Sequence, residues 1–306
     1  MTPDLRLRIG PLGLRLAGMP WTPATIPANF RPFLDAADDP AAAQLAVDCS
    51  GCLPAIPADA PLSSSCNDLG RAELFRAADG RSWLVALTPA PGHPARVMII
   101  DPSLASARLW LLSPSDPWAD FVIDSMSRIF FSQFAASRGA LMLHASAVAC
   151  SGRAFLFMGR SGTGKSTHSR LWLSEFPGSQ LINDDCPLVA PAASGCGFNV
   201  CGTPWSGKTP CWRRVSVALA GVARLRQAPA NRFIPTSGVD SFVAFIPGMS
   251  VITSDRALYA AASSTALNLL DSVAAGILEC LPDRQAALLC RQSLDRTHSS
   301  ITISNK

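Results

Sequence analysis

No uninterrupted apolar stretch in this 306-residue chain approaches the roughly 20 residues that a membrane-crossing helix needs, so no membrane span is expected. The opening residues, MTPDLRLRIGPLGLRLAGMP, alternate Leu with Arg and lack the apolar centre of a secretory signal, so the expected compartment is the cytoplasm. The net charge of +4 comes without a Lys/Arg run or a basic stripe with interleaved aromatics, which leaves nucleic acid without support as a partner. Cys49 and Cys52 form a C-x-x-C pair, but a second pair is missing and no histidine lies nearby. A zinc site is therefore not expected, and the ten cysteines read as reduced thiols. Internal repeats are absent, as is the Asn-Lys-x-Asp run that reads guanine. What remains is 48% hydrophobic and 16% charged, a composition that fills a sizeable core in one large domain or two ordinary ones.

The first hundred residues read as β-rich. Period-two alternation in LRLRI (5–9) and LGLRLAG (12–18), split by Gly10-Pro11, predicts a hairpin. A second hairpin is predicted over 72–88, turning at Asp79-Gly80, and two further strands over 95–101 and 107–113. Residues 23–68 are rich in Pro, Ala, Ser and Asp and read as loops with a short helix near 40–47, so an antiparallel sheet is the expected product. From 117 to 138 the apolar residues take helical spacing, and Gly139 is a stop signal. The domain boundary is placed in the SPSDP loop (113–117), giving a β-rich domain over 1–115 and a second domain over 116–306. Two buried strands (141–150 and 154–159) follow, joined by Ser151-Gly152, and two helices are expected near the end, over 264–281 and 283–294.

The segment FLFMGRSGTGKSTHSRLW (155–172) carries the chemistry. Gly159-x-x-x-x-Gly164-Lys165-Ser166 matches the Walker A pattern in full, between an apolar strand and a helix. Residues Gly159, Arg160, Ser161, Gly162, Thr163, Gly164, Lys165, Ser166 and Thr167 are the candidate phosphate cradle. Glycines let backbone N–H groups converge on an anion, and the helix that starts at the loop adds its free N–H groups and dipole. Lys165 reaches the β- and γ-phosphates in such a loop, and the Ser166 hydroxyl ligates Mg²⁺. On the helix, Ser169 and Arg170 are expected outside, and Leu171 and Trp172 inside.

Asp184 and Asp185 close a short strand in QLINDDCPLVA (180–190). Adjacent carboxylates at a strand end suit a magnesium–nucleotide site: one can hold the metal or its waters, the other can accept a proton from an attacking hydroxyl. His144 precedes the loop on a neighbouring strand and either satisfies itself in the core or orients a carboxylate or phosphate. Lys208, at the end of GTPWSGK, and Arg226 are the candidate further cations for the γ-phosphate. Trp205 stacks on a base, walls the pocket or packs.

The order His144, loop 159–167, Asp184-Asp185 resembles the catalytic half of bacterial HPr kinase/phosphorylase, whose P-loop core is shared with phosphoenolpyruvate carboxykinase. The likeness covers about residues 139–190 well and the rest of the C-terminal half loosely. It implies an α/β fold with a P-loop kinase core of that type, an ATP- and Mg²⁺-dependent transfer to a serine hydroxyl, Asp184 as base and Asp185 as metal ligand, with the two assignments exchangeable. The family's downstream metal-binding E-x-R-G-type run is absent. In its place stands VCGTPWSGKTPCWRRVSVALAGVARLRQAPANRF (200–233), which looks like the divergent HPr kinase-related proteins, some of which phosphorylate a precursor peptide. The implied acceptor is a serine on a protein or peptide. The N-terminal domain, whose alternating strands carry no chemistry of their own, is separately a candidate surface for recognising it through an exposed edge strand. Neither nucleic acid nor membrane is an expected partner, and self-association stays open. A nucleotide-binding regulatory or scaffold module and a small-molecule kinase are the alternative functions.

Overall fold

The computed structural model describes residues 4–67, 70–207 and 209–304. It is a mixed α/β structure with two mixed sheets, divided into two compact units, the first ending at Phe134 and the second beginning at Ala135.

The first unit holds β1 (Leu5–Ile9), β2 (Leu12–Ala17), β3 (Ala43–Asp48), β4 (Ser63–Asn67), β5 (Gly70–Arg76), β6 (Trp83–Thr88), β7 (Arg96–Ile100) and β8 (Ser106–Trp110), followed by α1 (Ala119–Ser137). The strands form one sheet in the order β1-β2-β3-β8-β7-β6-β5-β4. Leu5, Leu7 and Ile9 are buried at every second position of β1, as the alternation predicts, and β1 pairs antiparallel with β2. The β5–β6 turn is fastened by Asp79, whose carboxylate accepts the backbone N–H groups of Arg81 and Ser82 and the Ser82 hydroxyl.

Two expectations need correction here. Residues 43–48 form a strand, not a helix: β3 lies between β2 and β8 and is parallel to both. The sheet is therefore mixed rather than antiparallel. Ala43 and Leu45 are buried while Gln44 is exposed, a period-two pattern too short to outweigh the alanines in a local reading.

The SPSDP loop is likewise no linker. The Arg96 guanidinium on β7 donates two hydrogen bonds to the Asp116 carboxylate, at 2.9 and 2.5 Å, and both side chains are all but sealed from solvent. Asp116 also accepts the backbone N–H groups of Leu112 and Trp118. A buried, bidentate ion pair thus anchors the loop in the first unit, and most of α1 goes with it. Asp116→Asn leaves the buried guanidinium unpaired, and the expected loss is about 3–5 kcal/mol, read as a lower urea midpoint for the first unit's unfolding transition.

The second unit contains β9 (Leu141–Met142), β10 (Ala145–Cys150), β11 (Arg153–Met158), α2 (Lys165–Glu175), β12 (Gln180–Asn183), β13 (Leu188–Pro191), β14 (Phe198–Cys201), β15 (Ser216–Gln227), β16 (Arg232–Pro235), α3 (Gly238–Phe245), α4 (Arg256–Asp271), β17 (Ala274–Cys280) and α5 (Arg284–Ser304). The long β15 organises it. Its first residues pair antiparallel with β14, and the rest pairs in parallel with β11 on one side and β17 on the other. Phe155 and Phe157 of β11, Ala223 and Leu225 of β15 and Leu278 of β17 meet Trp172 of α2 and Leu294 of α5 in one core. Arg224, on the opposite face of β15, hydrogen-bonds the Ala244 carbonyl of α3. Helices therefore cover both faces of these strands.

The expected helix over 264–281 is also corrected. Helix α4 runs earlier and ends at Asp271, and residues 274–280 are a strand paired with β15 and β16. An apolar run such as VAAGILEC is ambiguous by periodicity, and parallel pairing in the sheet interior decides it. The helix expected over 283–294 is present and extends further, with Asp283 accepting the Ala286 N–H at its start. No helix among the described residues is long and apolar enough to cross a membrane, and all ten cysteines are free thiols.

Candidate active site

Strand direction explains why the sequence-predicted residues meet. β12 and β11 are both antiparallel to β10, and β15 and β17 are parallel to β11. The carboxyl ends of β11, β12, β15 and β17 and the start of β10 therefore share one edge of the sheet. In open α/β sheets that edge is where ligands bind. The loop 159–164 leaves β11 there, Asp184-Asp185 leave β12, and His144 enters β10.

The loop is built by its glycines. Gly162 and Gly164 have φ of +80° and +106°, a region that side chains rarely adopt. Thr163 closes the turn, its N–H and hydroxyl both donating to the Arg160 carbonyl. Gly164 is the N-cap of α2 and has no side chain to cap it, so the first-turn N–H groups lack a side-chain partner. Arg160 and Ser161 sit on the loop, and Ser166 and Thr167 on the first turn of α2, half-buried.

Lys165 points inward. Its side chain is buried, and its ammonium donates to the Gly159 carbonyl at 3.0 Å and approaches His144 Nε2 at 2.8 Å. An ammonium has only donors, so Nε2 must be the acceptor and the ring proton sits on Nδ1. That nitrogen lies 3.0 Å from Asp185 Oδ1 and donates to it. The result is a chain of cation, neutral imidazole and carboxylate. Burial lowers the Lys165 pKa, and the nearby Asp185 and Asp184 carboxylates oppose that shift.

The two aspartates differ in surroundings. Asp184 is buried and accepts from the Ser146 hydroxyl at 3.1 Å, and Ser146 is 2.5 Å from the Ser169 hydroxyl of α2. Ser169, expected outside, is therefore inside, and the Ser146 hydroxyl links it to the carboxylate. The Asp185 side chain keeps 23% of its surface exposed. Asn183, fully buried, holds the turn. Its side-chain oxygen accepts the N–H groups of Asp185 and Cys186, and its NH₂ donates to the Thr203 hydroxyl and the Trp205 carbonyl. The loop after β14 is thereby laid against the carboxylates, with Gly207 close to the Asp185 side chain. Trp205 is buried and packs.

Sequence reasoning missed Asn183, Ser146, Ser169 and Thr203. The only signal was the Asn-Asp-Asp run itself, an Asx-turn pattern whose partners lie 17 to 22 residues away in the chain. Asn183→Ala strands several buried donors and acceptors, at about 1–3 kcal/mol for each unsatisfied group, and is expected to lower the melting temperature while opening the 202–207 segment to hydrogen exchange.

Arg226 is not gathered into this cluster. It lies on the Arg224 face of β15 and pairs with Glu279 of β17, which also takes Arg232. Lys208 lies outside the described residues. Among the described residues no group of three or more His, Cys, Asp or Glu side chains is placed to hold a metal. Two carboxylates and the Ser166 hydroxyl are nonetheless hard oxygen donors of the kind magnesium takes, since that ion fills most of its shell with phosphate and water.

His168 backs the loop from inside α2. It is buried, accepts a hydrogen bond from Trp172 Nε1 at 3.0 Å, and burial pushes its pKa down to about 4. The unfolded chain therefore binds a proton that the fold refuses between about pH 6.5 and 4. Stability from this group is complete above the upper value and lost as pH falls through the window, by up to roughly 3 kcal/mol. His168→Gln is expected to flatten the acid limb of a stability–pH curve measured by urea unfolding.

The fold and side chains together define an α/β unit with a glycine-rich loop between strand and helix, and a lysine, a histidine and two aspartates on one sheet edge. No protein-family model matches the chain, and no curated protein matches it.

Proposed function

We propose that the second unit is a P-loop kinase core of the HPr kinase/phosphoenolpyruvate carboxykinase type, and that it transfers the γ-phosphate of ATP to a serine hydroxyl on a protein or peptide, with Mg²⁺. The observation that carries the proposal is the chain Lys165–His144–Asp185 at the mouth of the glycine-rich loop. It sets a cation for the transferring phosphoryl group beside a hydrogen-bonded carboxylate, within reach of a helix start whose N–H groups lack a side-chain cap.

In this reading the loop N–H groups and Lys165 hold the β- and γ-phosphates, which replace the Gly159 carbonyl as partners of the ammonium. Asp185 accepts the proton of the acceptor hydroxyl. Its exposure lets it reach a substrate, and His144 fixes its orientation. The serine oxygen forms the new P–O bond as the bond to the β-phosphate breaks, and ADP leaves. Asp184, buried beside the α2 face that carries Ser166 and Ser169, is the better placed of the two to serve the metal with Ser166. Bound Mg²⁺ would neutralise charge on the β- and γ-oxygens. The base and metal roles are thus the reverse of those the resemblance implies. Arg226 would have to leave Glu279 to take part, so Lys165 is the cation on which the transfer depends.

The test is intact-mass spectrometry of small proteins and peptides from a lysate, incubated with Mg·ATP and the protein or its variants. The wild type is expected to add a phosphoryl group to one species. Lys165→Ala is expected to lose both transfer and thermal stabilisation by ATP. Asp185→Asn should keep the stabilisation and lose transfer by about 10²- to 10⁴-fold. Full transfer by Asp185→Asn and its loss in Asp184→Asn would restore the opposite assignment. ATP binding with no species phosphorylated would favour a nucleotide-binding module.

A further inference from the structure

Asp185 is held at both of its carboxylate oxygens. His144 Nδ1 donates to Oδ1 at 3.0 Å. The other oxygen, Oδ2, lies 3.1 Å from Sγ of Cys186, the next residue in the chain. An ionised carboxylate can only accept, so the thiol is the donor. Cys186 is 5% exposed, and its backbone is fixed at both ends. Its N–H donates to Asn183 Oδ1 at 2.7 Å, and its carbonyl accepts the Thr203 hydroxyl at 2.8 Å. Other buried thiols turn elsewhere: Cys211 to the Leu181 and Ile182 carbonyls, Cys201 to the Ser216 hydroxyl, and Cys150 against the Arg291 guanidinium. The open cleft of roughly 290 Å³ beside the loop, at the carboxyl ends of β11, β15 and β17, is lined by no Asp, Glu, Lys or Arg and adds no hold on the carboxylate.

Two properties of the thiol contact bear on proton transfer. The terminal torsion of an aspartate is broad, so one donor on Oδ1 leaves the carboxylate plane free to swing. A second donor on Oδ2 fixes it. That second donor is also a weak one, because S–H bonds less strongly than O–H or N–H. Each carboxylate oxygen has about two lone-pair sites, so Oδ2 keeps one free and loses little basicity to the bond. With 23% of its side chain exposed, Asp185 leaves a path by which an acceptor hydroxyl can arrive.

We propose that Cys186 is a positioning residue for phosphoryl transfer: its thiol fixes the plane of the Asp185 carboxylate so that the free lone pair of Oδ2 meets the acceptor hydroxyl. The inference rests on Asp185 as the base of the proposed reaction and deepens that reading. The hydroxyl proton passes to Asp185, the acceptor oxygen bonds to phosphorus, and ADP leaves. The thiol keeps its own proton throughout.

The test compares the full-length wild type with Cys186→Ala, Cys186→Ser and Asp185→Asn. ADP release from Mg·ATP is followed with water as acceptor and again with the lysate peptides present, and urea unfolding gives the stability of each protein. The Cys186 S–H stretching band is isolated by infrared difference between the wild type and Cys186→Ser, and between the same pair carrying Asp185→Ala. Cys186→Ala is expected to lower kcat roughly tenfold and to leave KM for Mg·ATP within about twofold, because the base is misplaced while nucleotide binding is untouched. Cys186→Ser keeps a donor, though a stronger one on a shorter bond, and its kcat is expected between those of Cys186→Ala and the wild type. The S–H band is expected at the lower frequency of a bonded thiol and should rise when Asp185 is removed. A cysteine that only packs would cost stability in Cys186→Ala without changing kcat. An unchanged kcat in Cys186→Ala, a Cys186→Ser variant no faster than Cys186→Ala, or an S–H band indifferent to Asp185 overturns the inference and leaves the kinase reading standing. If the wild type releases no ADP, or Asp185→Asn releases it as fast as the wild type, the base assignment itself fails and the inference fails with it.

Discussion

A buried ammonium group has to be answered by lone pairs, and the answer given to Lys165 orders the whole sheet edge. The Gly159 carbonyl takes one N–H and the His144 ring another. Because lysine has no acceptor to offer, the ring's tautomer follows, and its remaining proton must go to Asp185. One desolvated cation thus specifies the state of two further side chains, one just before β10 and one just after β12. Under the proposed function a phosphate at the loop would meet groups already oriented, which is the condition for electrostatic stabilisation without reorganisation at the moment of reaction.

The two neighbouring aspartates illustrate how environment divides labour between identical groups. Both leave the same strand end, yet β10 gives one a serine and the residue just before β10 gives the other a histidine. Ser146 and Ser169 draw Asp184 towards the helix, while His144 holds Asp185 towards solvent. Asn183 makes this division rigid. Its amide binds the turn on one side and the 203–205 segment on the other, so the loop after β14 cannot move without releasing buried hydrogen bonds. Behind the loop, neutral His168 and Trp172 fill the core with Phe155 and Phe157, giving α2 a packed base against which its first turn is fixed.

Much of the local structure was legible in the sequence, and for definite reasons. The β1–β2 and β5–β6 hairpins, the long helix α1 and the strand–loop–helix around Lys165 each carry their signal within a few residues: period-two alternation, a turn-forming Asp-Gly, helical spacing, positive-φ glycines. The gathering of His144, Lys165, Asp184 and Asp185 was anticipated from their order, but the contacts among them required the strand directions. The errors fall where the local signal is weak. Residues 43–48 and 274–280 become strands because neighbours in the sheet claim them, and the 113–117 loop is held in place by Arg96, a partner some twenty residues earlier.

The sequence by itself determined the loop, its lysine and the paired carboxylates, because backbone conformation at glycine and the chemistry of side chains are local properties. Only the tertiary structure decided which aspartate is buried, that Ser169 and Asn183 belong to the site, that Arg226 faces Glu279, and that three parallel strand ends leave a cleft beside the loop. Those facts depend on which strands pair and in which direction, and pairing is chosen by contacts between residues far apart in the chain.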